Sequence, residues 1–260
     1  MQTIILGGGK GTRMKEETEF RPKPMVEVGG MPILWHIMRI YMHYGFNDFV
    51  IASGYKGTMI KEFFHNWRAL LHDISLDTSK GDVKILGNNN IHFKIKVIDT
   101  DYQDGRAETL TGARILKVAP YITDSEFMLT YGDGVSNVDI SKVIDFHHKQ
   151  GSLGTITGVH PQSRFGLVEV VEKTNLITQF KQKPILHEYI NGGFMIFKKE
   201  ALRYFDEGNM ENGLIKMANE KQLSLYRHEG FWKCVDTYNE LEQLNKLWDD
   251  GRPWAVWEKK

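Results

Sequence analysis

The chain opens on an apolar run, Ile4-Ile5-Leu6, that empties directly into Gly7-Gly8-Gly9-Lys10-Gly11-Thr12-Arg13. Such a run, cut off by glycines, reads as a buried strand that ends in a tight loop. Four glycines among positions 7–11 let the backbone approach a ligand and turn its N–H groups inward. A concave row of N–H groups suits phosphate oxygens. Arg13 can grip the same oxygens with a bidentate fork. Lys23, in Pro22-Lys23-Pro24-Met25, adds a second cation a fixed distance along the chain. The first feature met is therefore a polyphosphate site.

Two common glycine-rich motifs do not fit it. A P-loop ends in Gly-Lys followed by Ser or Thr, and no such pair closes this loop. A dinucleotide fingerprint needs a third glycine where Thr12 stands, and it runs straight into a helix. The segment after Arg13 is a poor helix start, because Arg21-Pro22-Lys23-Pro24 reads as extended or turn-like.

Strand and helix patterns alternate behind the loop. Strands are expected over 2–6, 48–53, 93–99 and 127–131, and helices over 58–67, 112–119 and 139–150. Pro32 suits the first turn of a helix whose apolar stripe is Ile33, Leu34, Ile37, Met38, Tyr41 and Met42. This is an α/β chain, Rossmann-like and doubly wound, on a mixed, mostly parallel sheet. Short strands follow over 153–160, 166–171, 176–181 and 193–197, which reads as a small β-rich lobe laid over the sheet. Helices are expected over 200–205, 211–219 and 238–249, with a strand over 223–227. No linker divides the chain, so 1–260 reads as one domain. Its parts are a nucleotide-binding core (1–150), a sugar-binding lobe (151–200) and a C-terminal segment (201–260). The polar connection 72–92, with Asn88-Asn89-Asn90, is a surface hairpin or a functional excursion.

Composition narrows the function classes. Formal net charge is zero, so nothing marks a nucleic-acid surface. No apolar stretch is long enough to span a bilayer, and no basic leader precedes the first strand. A single cysteine, Cys234, excludes an internal disulfide and a multi-cysteine metal site. The expectation is a cytoplasmic protein with no membrane or nucleic-acid partner. Among singletons, His147-His148 reads as helix surface, Cys234 as a packed thiol, and Trp254 and Trp257 as tail residues docked on the body or on another subunit.

The loop Leu6-Gly7-Gly8-Gly9-Lys10-Gly11-Thr12-Arg13, followed by Lys23-Pro24-Met25, resembles the signature of the sugar-1-phosphate nucleotidylyltransferases. Pro22 through Gly30, then Pro32-Ile33-Leu34-Trp35-His36-Ile37-Met38, is similar to the glucose-1-phosphate cytidylyltransferase branch. So are Ser53-Gly54-Tyr55-Lys56-Gly57, Tyr131-Gly132-Asp133-Gly134-Val135, Asn191-Gly192-Gly193-Phe194 and Gly230-Phe231-Trp232. The resemblance implies that CTP and a sugar 1-phosphate, glucose 1-phosphate first, are joined with release of pyrophosphate. The CDP-sugar would feed deoxysugar synthesis for a surface polysaccharide.

The attacking group in that chemistry is a phosphate monoester with a second pKa of about 6, already ionised at neutral pH. No general base is required, and catalysis is alignment plus neutralisation of clustered negative charge. Mg²⁺ is the implied cofactor, held by one or two carboxylates together with phosphates. Asp133 ends an expected central strand, where open α/β sheets bind ligands. Asp236 resembles the family's second metal aspartate; alone it could equally be a helix N-cap before Thr237.

The implied catalytic set is Arg13, Lys23 and Asp133. The nucleotide set is Leu6, Gly7, Gly8, Gly9, Gly11, Thr12, Arg13 and Lys23, with Thr111, Gly112 and Arg114 at the base. The sugar-phosphate set is Gly166, Gln182, Lys183, Asn191 and Gly192. A homo-oligomer is also expected.

Three positions depart from the family pattern. Gly7 replaces the usual Ala, and Ala113 replaces the second glycine of Thr-Gly-Gly-Arg. The stretch 102–108 before that motif is longer than usual. Gln182 replaces a Glu that bonds sugar hydroxyls, so the sugar is less constrained than the chemistry. UTP, dTTP, another phosphorylated sugar or polyol, and a silent sugar-nucleotide sensor remain alternatives.

Overall fold

Gln2–Gly7 is buried along its whole length at the middle of the main sheet. It pairs in parallel with Asp48–Ser53 on one side and Glu126–Tyr131 on the other. Lys94–Asp99 extends the parallel series. Beyond Glu126–Tyr131 the sheet turns mixed, as Met195–Lys198 runs antiparallel to it and to Gly154–Val159. Leu223–Arg227 then adds in parallel to Gly154–Val159, and Ile190–Asn191 in antiparallel. The result is an eight-stranded mixed α/β sheet. The computed structural model describes residues 1–87, 91–101 and 109–258. The asparagine run 88–90 and the lengthened stretch 102–108 lie outside the described residues.

Strand alternation splits the core between two faces. Ile5, Phe49 and Ile51 pack with the helix Ile33–His43 on one face. Ile4, Leu6, Val50 and Ala52 pack with Ile115 and Val118 of Thr111–Val118, and with Met210 and Leu214 of Met210–Asn219, on the other. The doubly wound architecture follows from this two-sided burial.

The β-rich lobe is smaller than the sequence implies. Gly154–Val159 and Met195–Lys198 are mostly buried and belong to the main sheet. Only the hairpin Leu167–Val171 with Leu176–Lys181 stands apart, exposed on both faces. Short strands rich in Val and Ile read alike in sequence; burial separates them. The connection 72–92 carries a second exposed hairpin, Asp73–Asp77 with Asp82–Leu86.

The chain after the glycine loop is helical after all, through the turn Thr12–Met14 and the short helix Lys15–Thr18. Glu16 and Glu17 favour that helix start, and the prolines act only beyond it. Residues 199–204 form a 3₁₀ helix, not an α-helix. His147 is also not a surface residue. It shares a helix stripe with Ile140 and Val143, is fully buried, and meets Thr155 Oγ1 at 2.8 Å through Nδ1. Its neighbour His148 stays exposed.

Trp254 docks the C-terminal tail on the body of the chain. It is fully buried and stacks on Phe231 at 5.7 Å. Its Nε1–H donates to His36 Nδ1 at 3.3 Å, while His36 Nε2 meets the Val28 carbonyl at 2.8 Å. Both ring nitrogens of a neutral His36 are thus used. Burial pushes its pKa down from 6.5 to about 4, with Arg39 adding to the shift. The unfolded chain therefore takes up this proton first, and stability falls as pH drops from about 6.5 to 4. The loss is about 3 kcal/mol at 1.36 kcal/mol per unit. Melting curves of the protein and of His36→Gln should converge as pH falls through this window. Parallel curves would show that His36 does not titrate with unfolding.

Candidate active site

The glycine loop is shaped by what passes beneath it. Gly8 O accepts from Tyr55 N at 3.0 Å and from Arg114 Nη2 at 3.1 Å. A Cβ on Gly8 would lie 1.8 Å from Arg114 Nη1, so only glycine admits the guanidinium here. Gly11 turns the chain with φ of 61°, a left-handed conformation that glycine adopts without strain. Thr18 Oγ1 then ties Gly11 O and Met14 O at 3.1 and 2.9 Å.

Arg114 is almost completely buried. Its guanidinium donates to Ser53 O at 3.2 Å, Thr100 Oγ1 at 2.6 Å and Gly8 O, and pairs with Asp101 at 2.8 Å. It is a buttress of the glycine loop at the edge of the cleft. The sequence marks it as a base contact, and four protein oxygens already claim it.

Asp133 follows the strand Glu126–Tyr131. A short ladder brings the distant aspartate to it. Trp232–Cys234 pairs antiparallel with Gly134–Ser136, and Val235 N donates to Asp133 O at 2.9 Å. Asp236 then emerges beside Asp133. It is not the helix cap: Thr237 caps Tyr238–Asp249 in a capping box with Glu240. Glu240 Oε2 also accepts from Asp236 N at 2.8 Å, which fixes the backbone without engaging the Asp236 carboxylate.

Lys23 Nζ joins the two acids, at 2.6 Å from Asp133 Oδ2 and 2.6 Å from Asp236 Oδ1. Burial alone would lower its pKa, but the two carboxylates outweigh burial and raise it. Asp236 is likewise penalised by burial, yet Lys23, Arg13 and Arg164 hold it below the usual carboxylate range. Arg13 Nη1 and Arg164 Nη2 each reach Asp236 Oδ2 at 2.9 Å. Burial, with the nearby carboxylates, pushes the Cys234 thiol up to about 12. The knot is three cations around two acids, at the carboxyl end of the central strands.

Arg13, Lys23, Asp133 and Asp236 line a cleft of ≈ 420 Å³, within the range of small-molecule sites. Of the expected nucleotide residues, Leu6 to Gly9, Gly11 to Arg13, Lys23, Thr111 and Arg114 line it, as do Asp133 and Asp236. Gly112 does not; its N–H donates to Gly208 O at 2.9 Å and docks the helix Thr111–Val118.

The expected sugar residues divide. Asn191 Nδ2 donates to Tyr131 OH at 3.2 Å, at the cleft wall, and Gly192 O accepts from Trp232 Nε1 at 2.8 Å. Gly166, Gln182 and Lys183 lie at the base of the exposed hairpin, outside the cleft lining. A Cβ on Gly166 would come 3.2 Å from Gln182 Oε1, so these two are neighbours. Lys183 has φ of 46°, strained for a residue with a side chain.

Sequence reading missed Tyr131 and Asn209 in the lining, and the Tyr131 hydroxyl's bond to Glu211 at 3.2 Å. Only the position of Tyr131 beside Gly132-Asp133 could have flagged it.

Two carboxylate oxygens converging on one ammonium group are two hard ligands around a single cation position. That donor set fits a divalent ion completed by phosphate oxygens. Among the described residues, no group of three His, Cys, Asp or Glu could hold an ion unaided.

Comparison with known proteins matches residues 2–250 to the family model described as nucleotidyl transferase. A probable glucose-1-phosphate cytidylyltransferase of Bacillus subtilis is 40% identical over 99% of this chain and 100% of its own length. A glucose-1-phosphate cytidylyltransferase of Salmonella typhimurium is 37% identical over the same shares. Among solved structures, HddC from Yersinia pseudotuberculosis superposes with a TM-score of 0.66 at 19% identity, covering 95% of this chain and 99% of that one. A UDP-glucose pyrophosphorylase complexed with UDP-glucose gives 0.66 at 14% identity, over 96% and 99%. At such identities the structures speak to the fold alone. No helix among the described residues is long and apolar enough to cross a membrane.

Proposed function

The chain belongs to the nucleotidyl transferase family, and from that premise we propose that it transfers a cytidylyl group from CTP to glucose 1-phosphate, giving CDP-glucose and pyrophosphate. The observation that carries this reading is Lys23 seated between Asp133 and Asp236 beside the glycine loop. A phosphate cradle, two acids and three cations meet at one point. The full-length relatives named for this reaction support the choice of CTP and glucose 1-phosphate.

In the reaction a sugar-phosphate oxygen bonds to the α-phosphorus of CTP. The bond from that phosphorus to the bridging oxygen breaks, and pyrophosphate leaves with the electron pair. No proton moves, so the chemistry needs no paired nucleophile and base. The loop N–H groups and Arg13 hold the outer phosphates. Lys23 exchanges a carboxylate oxygen for a phosphate oxygen. Thr109, Leu110 and Thr111 form the base end, braced by Arg114. Asp133 and Asp236 would hold Mg²⁺, which supplies charge neutralisation for the leaving pyrophosphate.

The reading extends to a cytoplasmic enzyme that self-associates. Exposed aliphatic side chains along both hairpins support self-association, Ile74 and Leu76 on one, Leu176 and Ile177 on the other.

Pyrophosphate release with CTP, UTP, dTTP and GTP against a panel of sugar 1-phosphates tests the proposal. CTP with glucose 1-phosphate should be the preferred pair. Release with UTP but not CTP would overturn the cytidylyl assignment, and no release with any pair would overturn the activity.

A further inference from the structure

Arg164 has no part in the site as read from sequence, yet its guanidinium reaches the centre of it. The backbone around it is pinned to the segment that carries Gln182 and Lys183. Gln162 forms an antiparallel bridge with Ile185, Ser163 N donates to Pro184 O at 2.8 Å, and Leu186 N donates to Pro161 O at 2.9 Å. Gln162 Nε2 adds a bond to Lys183 O at 3.1 Å. Arg164 thus stands on the same rim as Lys183, at the base of the hairpin lobe.

From that rim the side chain crosses to the body of the protein. Its Nη2 lies 2.9 Å from Asp236 Oδ2 and 3.5 Å from Glu240 Oε1. Arg13 reaches the same Asp236 oxygen, at 2.9 Å, from the glycine loop. One carboxylate oxygen therefore holds two guanidinium groups, one from the glycine loop and one from the segment bonded to Lys183 and Pro184. That sharing is useful only while no other anion is present. Arg164 is half exposed, and its contacts among the described residues run through Nη2 alone. A guanidinium has five donors in a planar fork, so most of its donor capacity remains for a second oxyanion.

We infer that Arg164 is a binding residue for the phosphate group of the sugar 1-phosphate, parked on Asp236 until that monoester arrives. The assignment rests on the acceptor proposed above. Arg13 follows the glycine loop, whereas Arg164 is anchored to the segment that carries Lys183, so Arg164 serves the other substrate. Transfer of Arg164 from Asp236 to the monoester also frees an acid oxygen as the acceptor binds. The same arginine holds lobe to body in the resting enzyme and the acceptor in the loaded one.

Steady-state kinetics of Arg164→Gln and Arg164→Lys, with melting temperatures, test the assignment. Arg164→Gln should raise KM for glucose 1-phosphate about 10- to 100-fold, the worth of a charged hydrogen bond. KM for CTP forward, and for pyrophosphate in the reverse direction, should stay within about threefold of the parent by the same reasoning. Arg164→Lys should fall between, because it keeps the charge and loses the fork. An unchanged KM for glucose 1-phosphate in an active Arg164→Gln enzyme overturns the assignment alone. So does a rise in KM for pyrophosphate or CTP as large as that for the sugar phosphate, or a change in melting temperature with no change in KM. A parent enzyme that turns over no sugar phosphate overturns the proposed activity and this assignment with it.

Discussion

Lys23→Met is expected to cut transfer by at least about 10²–10³-fold, the cost of losing one preorganised electrostatic contact at a reacting phosphate. Methionine keeps the unbranched chain as far as Cε and removes the ammonium group. In the parent the ammonium group touches both acids at 2.6 Å and is only 15% exposed. Without it Asp133 and Asp236 face each other across a shared position. Arg13 and Arg164 still hold the outer oxygen of Asp236, so the chain should fold. The vacated position then suits a divalent ion better than before. Mn²⁺ alone should raise the melting temperature of the variant more than that of the parent, while turnover stays low. Turnover within about tenfold of the parent would remove Lys23 from the electrostatic role argued for it. Equal effects of Mn²⁺ on both proteins would mean that the lysine and the ion do not compete.

Gly8→Ala should cost stability as well as activity. The added methyl would sit 1.8 Å from Arg114 Nη1 and 2.2 Å from Cζ. Arg114 cannot yield cheaply, because Ser53, Thr100, Gly8 and Asp101 together satisfy a buried charge. Overpacking and disruption of a buried pair together cost about 3 kcal/mol or more. For a chain of this length that is a fall in melting temperature of about 6–12 °C. CTP binding should weaken in parallel, since the loop N–H groups move with Gly8. Gly7→Ala is the control: its Cβ would come closest to Pro24 Cγ, at 3.2 Å, a contact a small shift relieves, with Ile51 Cγ2 at an ordinary 3.7 Å. Equal melting temperatures for the two variants would show that the guanidinium does not brace the loop.

How much was legible in the sequence depended on how local each feature is. The glycine loop and its cations sit within 23 residues of the N-terminus, and their chemistry could be read directly. The parallel core was legible because buried strands and amphipathic helices differ in period. Asp236 could be reached only by resemblance, because a ladder of three residue pairs, not its own neighbours, sets it beside Asp133. The buried bonding of Arg114 was hidden for the same reason. Its partners come from three separate segments, and nothing in Thr111-Gly112-Ala113-Arg114 shows that the guanidinium is already spoken for. Arg164 left no local sign, as its partner lies 72 positions away. The lobe was oversized because Gly154–Val159 and Leu176–Lys181 have similar β-forming residues, and burial alone tells them apart. His147 was read with its exposed neighbour, whereas its stripe on the helix points into the core.

The proposed transfer is a single, direct displacement at the α-phosphorus, with protein groups that position and neutralise but never bond to the cytidylyl group. CTP carrying sulfur on that phosphorus in one known configuration, turned over with glucose 1-phosphate, tests it most directly. The account requires a CDP-glucose thio-analogue of inverted configuration at phosphorus. Retention would mean two successive displacements through a covalent enzyme intermediate, and would contradict it.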